Sequence, residues 1–234
     1  MQNILGHIRR ADNDFKLIER GDKIAIGLSG GKDSLTLLAA LKQYQKYNDK
    51  DFEIVAITID CTDGQTDFSK LQKFCADLGV EYRIERSQIF HVIFDVRRES
   101  SPCSLCSKMR RGLLVSVAKQ MGCNKIAFGH HGDDLVETML LCWTHEGRLT
   151  SFDIKSYLDR QKVTLIRPLV YVTEAETRAA AKDFPILKNT CRANGHTRRE
   201  YMKQLVTRLD ADIPHARERM LAAVIRKKLL DTKS

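Results

Sequence analysis

The sequence has no apolar run that approaches the roughly 18 residues a membrane-spanning helix requires; the longest, residues 54–59 and 113–118, fall far short. No apolar stretch follows the charged N-terminus of His7, Arg9, Arg10 and Asp12, so no secretory signal is expected and the chain reads as cytoplasmic, without a membrane partner. Seven cysteines, an odd number dispersed over a medium-sized chain, argue against the dense disulfide framework of small secreted domains. In a reducing compartment, clustered cysteines read instead as metal ligands or reactive thiols. Internal repeats, low-complexity segments and any legible RNA-recognition module are also missing.

What is present is a chain of 234 residues, 43% hydrophobic, long enough for one substantial core. Lysine and arginine number 39 against 30 aspartates and glutamates, a surplus of nine. Residues 192–234 hold eleven basic and five acidic side chains and so carry six of those nine charges. A basic segment of this kind suits a phosphate-rich partner such as nucleic acid, although it is also what an ordinary solvated face looks like.

Short β-branched runs at residues 23–28, 53–59, 82–85, 125–128 and 163–166 alternate with helical patterns at 33–47, 67–78, 105–121, 133–144 and 174–183. The repeated order predicts an α/β fold with a doubly wound, mainly parallel five-stranded sheet. An N-terminal helical segment is expected to end near Arg20 and Gly21. After Pro185 the strand signals stop, which divides the chain into a nucleotide-binding domain, residues 1–185, and a basic helical appendage, residues 186–234. Residues 88–101 carry the least readable pattern. In an open parallel sheet, ligands bind beyond the C-terminal strand ends, so the motifs that follow strands matter most.

The first strand runs into Ser29, Gly30, Gly31, Lys32, Asp33 and Ser34, where a helix begins. Paired glycines let backbone N–H groups converge on an anion, the helix N-terminus favours negative charge, and Lys32 adds a mobile cation. This is a phosphate cradle but not a Walker A loop, because Ile26 stands at the required glycine and Asp33 follows the lysine. The fourth strand ends in Gly129, His130, His131, Gly132, Asp133 and Asp134, beside the glycine loop in such a fold. Two carboxylates at a helix start can cap it or approach a magnesium ion. Thr58 and Asp60, at the end of the second strand, are candidates for contacts to adenine and ribose. Cys103 and Cys106, in SPCSLC, can face one metal from the entrance of a helix. A single CxxC fits half a zinc site, a redox pair or an iron-sulfur site, and no second CxxC completes it.

SGGKDS after a first strand resembles the signature of the PP-loop ATPases, which bind the pyrophosphate of ATP there and cleave between the α and β phosphates. CSLCSKMRRG, GHHGDD, IRPL and a later cysteine, with DFKLIERGDKIAIGLSGGKDS near the N-terminus, resemble the tRNA 2-thiocytidine synthetase (TtcA) family from about Asp14 to Cys191. The resemblance implies a 4Fe-4S cluster held by Cys103, Cys106 and Cys191. It also implies ATP and Mg2+ held by the glycine loop with Gly129, His130, Asp133 and Asp134, and catalytic roles for Lys32, Asp33 and Asp134. The family's last cysteine commonly sits in a second CxxC, whereas here the segment reads NTCRANG. Cys61, Cys75, Cys123 and Cys142 are read as small buried hydrophobes.

The expected function is therefore ATP-dependent adenylation of the C2 oxygen of a tRNA pyrimidine, followed by its replacement with sulfur. The pyrimidine expected from the resemblance is cytidine 32. The sulfur donor would be a cysteine desulfurase or free sulfide, and a homodimer is one compatible assembly. Lys108, Arg110, Arg111, Arg192, Arg198 and Arg199 would place positive charge around the cluster. A uridine 2-thiolase, another PP-loop adenylating ligase and a zinc-stabilised nucleotide-binding module are the rival readings.

Overall fold

The computed structural model describes residues 1–98, 102–188 and 198–231. A first helix, α1 (Gln2–Phe15), leads into β1 (Lys23–Gly27), α2 (Lys32–Tyr47), β2 (Glu53–Asp60), α3 (Ser69–Asp77) and β3 (Glu81–Arg86). A six-residue π-helix, His91–Val96, precedes α4 (Pro102–Gln120), β4 (Lys125–Ala127) and α5 (Gly132–Glu146). Then come β5 (Lys155–Leu158), β6 (Val163–Ile166), α6 (Glu174–Ala180), α7 (Arg198–Asp212) and α8 (Ala216–Asp231).

The sheet order is β3-β2-β1-β4-β6-β5, parallel throughout except for the antiparallel pair of β5 and β6. The fold class expected from the sequence holds, with one strand more than the five read from it. β5 is a four-residue edge strand with little burial, so it lacks the apolar run of the central strands. In β2 every residue after Glu53 is buried, as a parallel strand covered on both faces requires.

Side chains alternate across the sheet with period two. Ile24, Ile26, Ile54 and Ala56 join the core under α1, α2 and α8, while Ala25, Val55, Ile57 and Ile59 join the core under α4. The C-terminal helices pack on α5: Met202 and Val206 of α7 meet Val136 and Leu140, and Val224 and Ile225 of α8 enter the larger core.

Helix α1 stops at Phe15, short of Arg20. Lys16 takes a left-handed conformation (φ 50°), and the buried Asp12 carboxylate then accepts the Ile18 N–H, the Tyr44 hydroxyl and the Lys50 ammonium. That carboxylate fixes the turn back into β1. No helix among the described residues is long and apolar enough to cross a membrane.

Strand β1 lies between β2 and β4, so successive connections leave it in opposite directions and open a crevice at the C-terminal ends of β1 and β4. That is where an open α/β sheet binds ligands. The glycine loop and the GHHGDD segment occupy its two lips.

Candidate active site

The glycine loop is held by its own two serines. The Ser29 N–H donates to the Ser34 hydroxyl (3.2 Å), the Gly31 N–H donates to the Ser29 hydroxyl (3.3 Å), and the Ser34 hydroxyl donates to the Gly31 carbonyl (3.0 Å). Gly30 has φ +78°, and a Cβ there would meet Leu187 at 2.9 Å, because the Leu187 N–H binds the Gly30 carbonyl. Helix α2 has no side-chain N-cap, so its first N–H groups remain available to an anion.

At the opposite lip, Gly129 brings backbone against backbone. A Cβ there would lie 3.0 Å from the Asp33 carbonyl and 3.1 Å from the Ser34 nitrogen. His131 caps α5: its N–H donates to the Asp134 carboxylate (2.9 Å), and its Nδ1 accepts the Asp134 N–H (3.4 Å).

Between the lips is a cavity of about 500 Å³, within the usual range for small-ligand sites. Its lining is mixed: Ser29, Asp33, Ser34, His130, Asp134, Arg110 and Arg111 are polar, and Leu28, Ile57, Ile59, Leu114 and Phe128 are apolar. Phosphates suit the polar groups and a flat base the apolar ones. Among the described residues, His130 Nδ1 and Arg167 Nε, of two side chains that line this cavity, are buried with no hydrogen-bond partner. Burial, then the neighbouring Arg167, lowers the His130 imidazole to about 4, so it is neutral at physiological pH and ready to hydrogen-bond a ligand. Arg167, from the IRPL segment, stacks on Phe152 at 4.8 Å and lies 5.9 Å from the Phe128 ring centre.

Lys32 reaches two carboxylates, Asp33 at 2.9 Å and Glu174 at 3.3 Å. Glu174 also receives Lys203 (2.8 Å) and Arg178 (3.3 Å). Burial raises its carboxyl, but the hydrogen bond from Lys203 and the charges of Lys32 and Lys203 prevail and hold it at about 2. Glu174 was missing from the sequence reading. Its signal is Thr173, whose hydroxyl accepts the Glu176 N–H and so starts α6 with Glu174 against Lys32. Asp33 accepts a further bond from the Thr177 hydroxyl at 2.6 Å.

The adjacent aspartates separate. Asp134 lines the cavity and pairs with Arg199 at 3.1 Å. Asp133, grouped with the nucleotide ligands from sequence, instead has a buried carboxylate that accepts the Arg217 guanidinium and the Glu174 N–H (2.7 Å). It ties α5 to α6 and α8. We expect Asp133→Asn to lower stability by about 2–3 kcal/mol, the scale of a hydrogen bond to a charged group. Asp134→Asn should leave stability nearly unchanged and reduce magnesium-dependent turnover. Thermal melts paired with ATP–pyrophosphate exchange read both, and equal stability losses in the two variants would remove the distinction.

A second cavity of about 360 Å³ shares Ser29, Ile59 and Arg110 with the first. Thr58 and Asp60 line this second cavity, whereas Ile57 lines the first and Ile59 both. The Thr58 hydroxyl donates to the Leu28 carbonyl at 2.6 Å. The Asp60 carboxylate is committed to the following turn, where it accepts the N–H groups of Thr62 (2.8 Å) and Gly64 (2.6 Å).

Cys106, half-buried on the first turns of α4, lines the second cavity; Cys103, one turn earlier, is exposed. Cys191 lies outside the described residues, and Lys188, three residues before it, lines the same cavity as Cys106. Among the described residues no three His, Cys, Asp or Glu side chains converge in the manner of a metal site. Arg110 lies near Cys106, whereas Arg199 belongs to the nucleotide side. Arg192 lies outside the described residues.

Cys61, read from the sequence as a plain buried residue, is buried on the cavity that Cys106 also lines, and its thiol donates to the Ile59 carbonyl at 3.8 Å. Interaction with Cys61, opposed by burial and helped by Arg110, lowers Cys106 to about 6, and the same interaction together with burial raises Cys61. In metal-free protein, alkylation of Cys106 should be half-maximal near pH 6, and Cys61→Ala should move that midpoint up toward the ordinary thiol value of about 8.5. Peptide mass spectrometry across a pH series resolves it; an unmoved midpoint removes Cys61 from the interaction. Cys75 and Cys123 are buried in the two cores with thiols raised to about 11 by burial, as inert packing residues should be.

Comparison with known proteins accords with this geometry. The PP-loop domain family matches residues 7–206. The tRNA-cytidine(32) 2-sulfurtransferase of Syntrophotalea carbinolica is 39% identical over 92% of the chain and 85% of its own length. Those of Pelobacter propionicus and Geobacter sulfurreducens are each 37% identical, over 93% and 95% of the chain and 82% and 89% of their own lengths. Among solved structures, the U34-tRNA thiolase NcsA of Methanococcus maripaludis, determined with its [4Fe-4S] cluster, superposes with a TM-score of 0.75 at 22% identity. It covers 95% of this chain and 78% of its own. The first strand, the glycine loop, the GHHGDD lip and the relatives agree: the chain belongs to the PP-loop family and, within it, to the group of the tRNA-cytidine(32) 2-sulfurtransferases.

Proposed function

We propose that the chain uses ATP to activate the C2 oxygen of cytidine 32 in tRNA and replaces that oxygen with sulfur, acting in the cytoplasm. The observation that carries this reading is the shared wall: the cavity bearing the phosphate loop and the cavity bearing Cys106 meet at Ser29, Ile59 and Arg110. A base held at that wall reaches an α-phosphate on one side and a sulfur source on the other.

In the first half-reaction, the C2 oxygen attacks the α-phosphorus and pyrophosphate leaves. The uncapped N–H groups at the start of α2 and the Lys32 ammonium take up the charge that develops on the departing phosphates. Asp33 and Asp134, both on the cavity, are the carboxylates suited to hold Mg2+ among phosphate oxygens and water. Neutral His130 and Arg167 offer their unpartnered nitrogens to the nucleotide. In the second half-reaction, sulfide adds at C2, the C–O bond breaks and AMP departs.

The thiols present fit a 4Fe-4S cluster. Cys103 and Cys106 stand one turn apart at a helix start, Cys106 is held in the thiolate range, and Lys188 lines the same cavity as Cys106. Such a cluster on Cys103, Cys106 and Cys191 would supply an iron free of protein thiolate, at which sulfide can be presented. The sulfur itself would come from a cysteine desulfurase or free sulfide.

The test is reconstitution. Anaerobic protein loaded with iron and sulfide, given ATP, Mg2+ and tRNA, should yield 2-thiocytidine, read by nucleoside mass spectrometry. Thiouridine as the sole product would transfer the chain to the uridine thiolases, and bound zinc without labile sulfide would remove the sulfur chemistry.

A further inference from the structure

The structure also points to where the target base sits, an inference that rests on the thiolation reading. Reaction at C2 requires one atom of the base to face both the phosphate cavity and the Cys106 cavity. The phosphate cavity has its own occupant. The base therefore belongs in the second cavity, with its C2 edge at the shared wall of Ser29, Ile59 and Arg110.

Two aromatic rings line that cavity, Phe68 and Phe90. Both are only partly buried although each packs on a core, and Phe90 is braced edge-on by Phe94 at 5.7 Å while its N–H is held by the Cys61 carbonyl at 3.2 Å. A half-exposed ring on a fixed backbone is what an unstacked nucleobase uses as a platform. The polar counterpart is Thr66: the Thr62 hydroxyl donates to the Asp60 carboxylate at 2.6 Å, so the Thr66 hydroxyl donates to Thr62 at 2.9 Å and keeps a lone pair. That lone pair can accept a hydrogen bond from the edge of a base.

Charge gives the direction of approach. Arg110 and Lys188 stand at the cavity, whereas the adjoining space beyond Phe90 is bordered by Asp63 and Asp95. A polyanionic backbone is favoured on the Arg110 and Lys188 side and repelled from the other. We propose that the second cavity receives the extruded pyrimidine of the tRNA, stacked on Phe90 with Phe68 as the second apolar wall, and that its nucleotide backbone enters past Arg110 and Lys188.

The test uses cluster-loaded protein and an anticodon stem-loop carrying pyrrolocytidine, a fluorescent cytidine analogue, at the target position. Binding to the wild-type protein should change its fluorescence. Phe90→Leu should lose most of that signal and about 10-fold or more in kcat/KM for thiolation, while ATP binding and the cluster absorbance stay intact. Phe90→Tyr, which keeps the ring, should restore both, and Phe68→Leu should give a smaller loss. Wild-type signal and rate in both leucine variants would overturn the pocket while leaving the thiolase reading untouched. Failure of the wild-type protein to thiolate cytidine would overturn both.

Discussion

Lys32→Ala should reduce tRNA-dependent ATP–pyrophosphate exchange by about 100- to 1000-fold, the scale seen when one preorganised charge partner of a transition state is removed. The argument is electrostatic. Lys32 is the ammonium aimed from the phosphate loop, held ready by Asp33 and Glu174, and phosphate oxygens would take it from those carboxylates. Stability should change by no more than about 1 kcal/mol, as for other partly exposed ion pairs. Both carboxylates keep partners after the substitution: Asp33 keeps the Thr177 hydroxyl, and Glu174 keeps Lys203 and Arg178. Undiminished exchange in a folded Lys32→Ala protein would remove the loop lysine from the mechanism.

The meeting of the two motifs was legible in the sequence because it follows strand order. A glycine pair after β1 and a GHHGDD segment after β4 had to meet, because the crevice of this sheet opens between those two strands. Features that depend on which way a side chain turns were not legible. Asp133 and Asp134 are neighbours in sequence, yet on a helix they point about 100° apart. Arg217, far downstream on α8, and the Glu174 N–H on α6 are what hold the Asp133 carboxylate. Thr58 and Asp60, expected at the nucleotide from their place at a strand end, line the second cavity, and no local pattern says which cavity a strand-end side chain borders.

The least readable stretch, residues 88–101, contains a π-helix whose period matches neither the strand nor the α-helix template, and Phe90 stands at its start. Cys61 escaped for a different reason. A lone apolar-flanked cysteine reads as packing, and its meeting with Cys106 depends on a contact between β2 and α4 that no local pattern encodes.

Single replacement of Cys103, Cys106 or Cys191 by alanine should abolish 2-thiocytidine formation, a loss of at least about 100-fold, since removing a metal ligand costs more than removing its outer support. Adenylation should survive these changes. Ser29, Asp33, Ser34 and Asp134 line the first cavity, which neither Cys103 nor Cys106 borders among the described residues, so ATP–pyrophosphate exchange should fall only a few-fold while product disappears. That split assigns the thiols to sulfur transfer and not to nucleotide binding. Cys75→Ala and Cys142→Ala are the controls. Cys75 is buried in the core under α2 and α3, Cys142 lies half-buried on α5, and thiolation should persist in both variants. Iron and acid-labile sulfide should be lost only with the three proposed ligands. Zinc in the wild-type protein, or thiolation that survives without Cys191, would defeat the three-thiolate site. Survival without Cys191 would also bring Cys61 forward, because it lines the same cavity as Cys106.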